Sequence, residues 1–137
     1  MKLKYLVTAC RLLFGIHFLI NGLNYTFHFF EIPLPPVPIA NVLHDAMVDS
    51  GMFSIAKGVE MLTGLMLLMN SYVPLALLIA FPVTCIITFM DVIVIGSAWY
   101  GAAVAGLITF ILNAGLMLAY FRYYRQILVF RAEPGIK

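Results

Sequence analysis

The chain is poor in charged residues. Only 10% of its 137 residues are aspartate, glutamate, lysine or arginine, whereas 64% are hydrophobic. A water-soluble domain of this length needs more charge to cover its surface. The composition therefore argues against a soluble globular domain.

Cysteines and short catalytic motifs are also scarce. Cys10 and Cys85 are the two cysteines, and their predicted depths differ by roughly 8–10 Å, too far for a disulfide. The sequence contains no HExxH, CxxC or glycine-rich phosphate loop. His17 and His28 would lie ~16 Å apart along a helix, so they cannot share one ion. We therefore expect no metal site.

The chain does contain four long apolar runs. About 20 apolar residues in a helix cross the ~30 Å of bilayer hydrocarbon. The runs at residues 5–30, 53–69, 73–95 and 98–123 meet this requirement and use most of the chain. We predict an all-α fold: one integral membrane domain, residues 1–137, forming a transmembrane four-helix bundle.

The charged residues predict how this bundle is oriented. Seven of the eight basic residues lie towards the two ends of the chain. Lysine and arginine are retained on the cytoplasmic side, so we predict cytoplasmic termini in the cell (inner) membrane. The same rule explains the positive charge without a nucleic-acid partner. These basic residues are Lys2, Lys4, Arg11, Arg122, Arg125, Arg131 and Lys137.

The connection between the first two runs has a composition of its own. The segment FFEIPLPPVP contains four prolines, which favour an extended chain. The segment IANVLHDAMVDSG has apolar residues at helical spacing, which predicts a short amphipathic helix on the outer interface. In the third run, Pro82 predicts a kink.

The first run carries a stripe of polar residues at spacings of 4, 3, 4 and 3. On one continuous helix they fall within an arc of about 80°, so they face other helices or a wet cavity rather than lipid. Interhelical hydrogen bonding is the simpler interpretation for the two deeper residues. From the inside outwards the stripe is His17, Asn21, Asn24, His28 and Glu31.

Other runs carry matching polar residues. Lys57 and Glu60 are three residues apart and are expected to pair. Counted from the outer ends, six residues predict an outward-facing pocket under the proline-rich loop, for ligand binding or proton relay. The alternative is a structural ion-pair network of Lys57, Glu60 and Asp91. The six candidates are Glu60, Lys57, His28, Asn24, Asp91 and Thr88, and the secondary polar candidates are His17, Asn21 and Asn113.

Two stretches resemble the DoxX-like family of small four-helix membrane proteins. They are RLLFGIHFLINGLNYTFHFF running into PLPP, residues 11–36, and KGVEMLTGLMLLMNSYVPLALLIAFPV, residues 57–83. Glu60 is the most telling position. Many family members have a lysine soon after the glycine of the first helix, whereas this chain has Tyr25 near that place. The resemblance implies the fold, the membrane location and an association with thiosulfate:quinone oxidoreduction or other membrane oxidoreductase complexes.

Three functions from different classes follow as expectations. The first is a membrane subunit of a quinone-linked redox system, with no covalently bound cofactor, a quinone as candidate ligand and a soluble or membrane oxidoreductase as partner. The second is an oligomeric transporter or channel for a small molecule, a cation or protons. The third is a non-catalytic scaffold or assembly subunit. In each case the lipid bilayer is the surroundings, and a homo- or hetero-oligomer is expected.

Overall fold

The computed structural model describes residues 2–33, 35–125 and 127–128, which contain helices and no strand. Arg131 and Lys137, which contributed to the predicted orientation, lie outside the described residues. The helices are α1 (Lys2–Phe27), α2 (Pro38–Asp49), α3 (Met52–Leu68), α4 (Val73–Thr88), α5 (Tyr100–Ala119) and α6 (Phe121–Tyr124). A π-helical segment (Phe89–Ile95) and one 3₁₀ turn (Gly96–Ala98) extend α4.

Three to four of these elements are long and apolar enough to span a membrane. α1, α4 with its extension (Val73–Ala98) and α5 each meet the requirement alone. α2 and α3 meet it together, but they are bent by 82°, and the 17 residues of α3 are about 25 Å long. The fold is thus all-helical over the described residues and compatible with a membrane-spanning protein.

Contacts between helix termini show that the neighbouring long helices run antiparallel. The Tyr25 hydroxyl of α1 lies 2.9 Å from the Ser54 hydroxyl at the start of α3. At the other extreme, Arg11 Nη1 of α1 donates to the Leu67 carbonyl of α3 at 2.7 Å. We call the first extreme the α2 end, because α2 packs there on α3 and the π segment, and the second the α6 end.

The apolar core fills the half of the bundle nearer the α6 end. Its side chains come from all four long helices and are at most 4% exposed. This half is therefore closed by apolar packing. The core residues are Phe14, Phe18, Leu67, Val73, Ala76, Leu77, Ala80 and Leu116.

Glycines let α1 and α3 approach closely. A Cβ atom on Gly64 would lie 2.6 Å from the Leu19 backbone nitrogen, and one on Gly22 would lie 2.9 Å from the Lys57 carbonyl oxygen. Small residues at such crossings bring helix backbones into direct contact inside membranes. The α1 backbone therefore rests on α3 beside Lys57.

The end of α1 differs from the prediction. His28 has a φ of 52°, and this left-handed conformation ends the helix, as is common one residue beyond a helix terminus. His28 and Glu31 consequently leave the helix, and the predicted five-residue stripe is reduced to His17, Asn21 and Asn24. The amphipathic helix is confirmed as α2. At Pro82 the α-helical geometry continues, and it changes only at Phe89.

Candidate functional site

The Lys57–Glu60 ion pair is the centre of a group of buried polar side chains in the α2 half. Lys57 Nζ donates to Glu60 Oε1 at 3.0 Å and to Oε2 at 2.8 Å. The Glu60 side chain is 2% exposed and that of Lys57 is 15% exposed. The predicted pairing is confirmed, and it is the form in which charges are tolerated at membrane depth.

Aromatic rings surround the accessible side of Lys57. Its Nζ lies 5.2 Å from the centre of the Phe53 ring, within the range of a cation–π interaction. Tyr25 and His44 each meet this ring edge-on, with centroids 5.3 and 4.9 Å away. Lys57 thus lies at the border between the polar interior and the α2 end.

Asp91 approaches the pair from the π segment. A Cβ on Gly106 would lie 2.7 Å from Asp91 Cβ and 3.2 Å from its Oδ2, so the side chain rests on the α5 backbone. Asp91 is partly buried and lies within electrostatic range of Lys57. The ion pairs among the described residues do not include it. Lys57 therefore pairs with Glu60 and acts on Asp91 only through space.

Two further candidates connect α4 to α5. The Thr88 hydroxyl donates to the Thr84 carbonyl at 2.8 Å and also lies 3.2 Å from the Gly106 carbonyl. Asn113 Nδ2 donates to the Thr84 hydroxyl at 2.8 Å. Asn113 Oδ1 is buried and lacks a hydrogen-bond partner among the residues that the structure describes. Thr88 and Asn113 therefore act as packing contacts between helices.

His17 connects α1 to α5. Asn21 Nδ2 lies 3.2 Å from His17 Nδ1, and the Thr109 hydroxyl lies 3.4 Å from His17 Nε2. Since the Thr109 hydroxyl already donates to the Ala105 carbonyl at 2.8 Å, it accepts from the ring, and the tautomer with the proton on Nε2 satisfies both contacts. His17 thus makes the interhelical bond expected of it. Asn21 bonds within α1, to the ring and the carbonyl of His17.

Asn24 and His28 form no hydrogen bond or ion pair with Lys57 or Glu60 among the described residues. Asn24 Nδ2 donates to the Phe30 carbonyl at 3.0 Å and its Oδ1 accepts from the Phe30 amide at 2.9 Å. Both ends of this buried amide therefore hold the chain where it leaves α1. The side chain of His28 is exposed. Of the six primary candidates, the structure brings together Lys57, Glu60 and Asp91.

Two features were not anticipated from the sequence, one in the site and one at the α6 end. Phe53 lies four residues before Lys57, a helical spacing that could have indicated the cation–π contact. Arg11 is buried, and its Nη1 donates at 2.7 Å both to the Leu67 carbonyl and to Asn70 Oδ1. It thereby satisfies the carboxyl end of α3, as basic side chains do near helix C-termini.

The arrangement suits protons, hydrogen-bonding groups or a cation better than a transition metal. Within the described ranges, no three side chains among histidine, cysteine, aspartate and glutamate come together as metal ligands would. The chain matches no family model, no curated protein and no solved structure. The interpretation of the site therefore rests on its own geometry.

Proposed function

We propose that the protein is a multi-pass membrane subunit of a quinone-linked redox system. In this proposal Lys57, Glu60 and Asp91, here called the acid cluster, receive the headgroup of a quinone or a comparable small redox substrate from the α2 end. The observation that carries the proposal is the excess of acid: Lys57 forms an ion pair with Glu60, and a second carboxylate, Asp91, lies within its electrostatic range.

The donor set fits such a headgroup. Lys57 and Asp91 are only partly buried, so a ligand can reach both, and the Lys57 ammonium would donate to a carbonyl oxygen. Glu60 and Asp91 would take up or release a proton. With all three groups ionised the acid cluster has a formal charge of −1, which one added proton cancels. A bound quinone would supply the acceptor for electrons and protons.

The apolar half of the bundle favours binding from one side over passage. Phe14, Leu67 and Leu77 are completely buried between the acid cluster and the α6 end, so apolar packing of the described residues closes this side of one chain. The same excess of acid would attract a cation or a proton, which is the observation favouring a small transporter. Transport would require several copies of the chain to form the route.

The proposal includes the wider setting predicted from the sequence. The protein would belong with the DoxX-like proteins and lie in the inner membrane with both termini in the cytoplasm. The α2 end would then face the opposite side. A soluble or membrane oxidoreductase would supply the electrons. The alternative role of a non-catalytic scaffold would require this partner but not the acid cluster.

Fluorescence of Trp99, the one tryptophan of the chain, tests the proposal. It lies at the α2 end, between the 3₁₀ turn and α5, and quinones quench tryptophan emission. We expect saturable quenching by a short-chain quinone in nanodiscs. The charge-neutral double variant Lys57→Met/Glu60→Gln should abolish saturation, whereas Asp45→Asn, which removes an exposed carboxylate from α2, should retain it.

Three results would contradict the quinone proposal. One is equal, non-saturable quenching in all three proteins. Another is a proton or cation flux in proteoliposomes that the double variant abolishes, without saturable quenching in the wild type, which would identify a transporter. Co-purification with an oxidoreductase that the double variant fully preserves, again without saturable quenching, would instead identify a scaffold.

A further inference from the structure

A pair of adjoining grooves lies at the α6 end, far from the acid cluster. Both are lined by Tyr72, Pro74 and Tyr123. One continues along the apolar side chains of Leu75 and Leu78 on α4. The other includes polar groups of the turn between α3 and α4. An apolar groove therefore lies directly beside a polar one.

The backbone fixes the shape of these grooves. The Tyr124 hydroxyl of α6 donates to the Pro74 carbonyl at 2.7 Å, so α6 is held across the start of α4. Tyr72 precedes α4 in the left-handed conformation, with a φ of 50°. The grooves thus result from the crossing of two helices rather than from the position of one flexible side chain.

A basic side chain packs against Tyr123 of the shared wall. The Arg122 guanidinium lies 4.6 Å from the centre of the Tyr123 ring and donates to the Tyr123 hydroxyl. Arg125 follows directly after the same short helix. Every acidic residue that the structure describes belongs to the α2 half, so the described charged residues at the α6 end are basic. These acids are Glu31, Asp45, Asp49, Glu60 and Asp91.

We propose that the paired grooves bind an anionic phospholipid. An acyl chain would lie along Leu75 and Leu78, and the phosphate would meet Arg122 beside the polar groove. α5, the last spanning helix, ends at Ala119, so the grooves lie at the level where lipid headgroups meet the hydrocarbon. Basic residues in this position attract anionic headgroups. The apolar groove alongside distinguishes a lipid site from a surface that is only basic.

Quenching by bromine-labelled lipids tests this site. Tyr72→Trp in a Trp99→Phe background places the only tryptophan of the chain in the shared wall. In phosphatidylcholine vesicles, brominated phosphatidylglycerol should occupy the site about fivefold more readily than brominated phosphatidylcholine at the same fraction, as expected for one basic residue near an anionic headgroup. Arg122→Gln should remove this preference.

Lys2→Gln is the matched control, because it removes the same charge from another helix at the same end. It should leave the preference intact, and the wild-type Trp99, at the α2 end, should show no preference. Equal quenching by the two lipids would overturn the proposal. So would an equal loss in Lys2→Gln, or a preference that appears only after deletion of residues 129–137, since that segment would then be the occupant.

Discussion

Lys57→Met and Glu60→Gln break the same ion pair, but we expect them to affect the stability of the fold very differently. In Lys57→Met, Glu60 keeps its carboxylate at 2% exposure, and no other basic side chain among the described residues forms an ion pair with it. Leaving one member of a buried pair uncompensated costs about 3–5 kcal/mol. This variant should therefore unfold much more readily than the wild type.

Glu60→Gln leaves a different situation. Its amide still offers an oxygen to Lys57, whose side chain is 15% exposed and already lies within electrostatic range of Asp91. The loss should be that of a charged hydrogen bond, about 1.5–3 kcal/mol, reduced by whatever Asp91 recovers. The double variant Lys57→Met/Glu60→Gln should be more stable than Lys57→Met alone, because no unpaired carboxylate then remains at position 60.

Reversible unfolding in mixed micelles with an increasing fraction of sodium dodecyl sulfate, followed by circular dichroism, measures these differences. The deficit of Lys57→Met should shrink as the pH falls, because a protonated carboxyl needs no cation. Equal costs for the two single variants, or a double variant whose cost equals their sum, would refute the idea that Lys57 compensates a carboxylate buried at position 60.

Two further predictions concern packing. Gly106→Ala would place a Cβ 2.7 Å from that of Asp91 and should destabilise the bundle by about 1–3 kcal/mol. Gly115→Ala is the control, because the space around Gly115 is open, and it should not destabilise the bundle. Equal effects of the two variants in the same unfolding assay would contradict the Gly106–Asp91 contact. Tyr124→Phe removes the hydrogen bond to Pro74 and should cost about 1 kcal/mol. Burial raises the pKa of the Tyr124 phenol. The contribution of Tyr124 to stability should therefore persist below pH ~10 and be lost as the pH rises through the folded-state pKa. A stability difference between wild type and Tyr124→Phe that stays constant with pH would argue against this reasoning.

The apolar runs predicted the helical framework well because hydrophobicity over about 20 residues is a property of composition. The predicted runs 5–30 and 98–123 correspond to Lys2–Phe27 and Tyr100–Ala119, with differences of two to four residues at their ends. The Lys57–Glu60 contact was equally predictable from the sequence, since two side chains three residues apart on a helix meet regardless of the rest of the fold.

The rest of the candidate site depends on features that spacing does not encode. Asn24 closes on Phe30, six residues later, only because His28 turns the chain out of the helix. Helical spacing continued through His28 predicts instead that these side chains point into a pocket. Asp91 lies in a π segment, where five residues rather than four separate the bonded groups, so its direction could not be inferred from α-helical periodicity.

The acid cluster also bears on the choice between a structural network and a binding site. A structural ion pair requires one cation and one anion, and Lys57 with Glu60 already supplies both at 2.8 Å. Asp91 adds a second carboxylate without a second ammonium among the described residues, and an uncompensated charge at this depth is unfavourable. Helix packing does not require the Asp91 carboxylate either, because Gly106 leaves room for this side chain but does not need a carboxylate to fill it. The second carboxylate is therefore the feature on which the proposed binding of a proton, a cation or a headgroup rests.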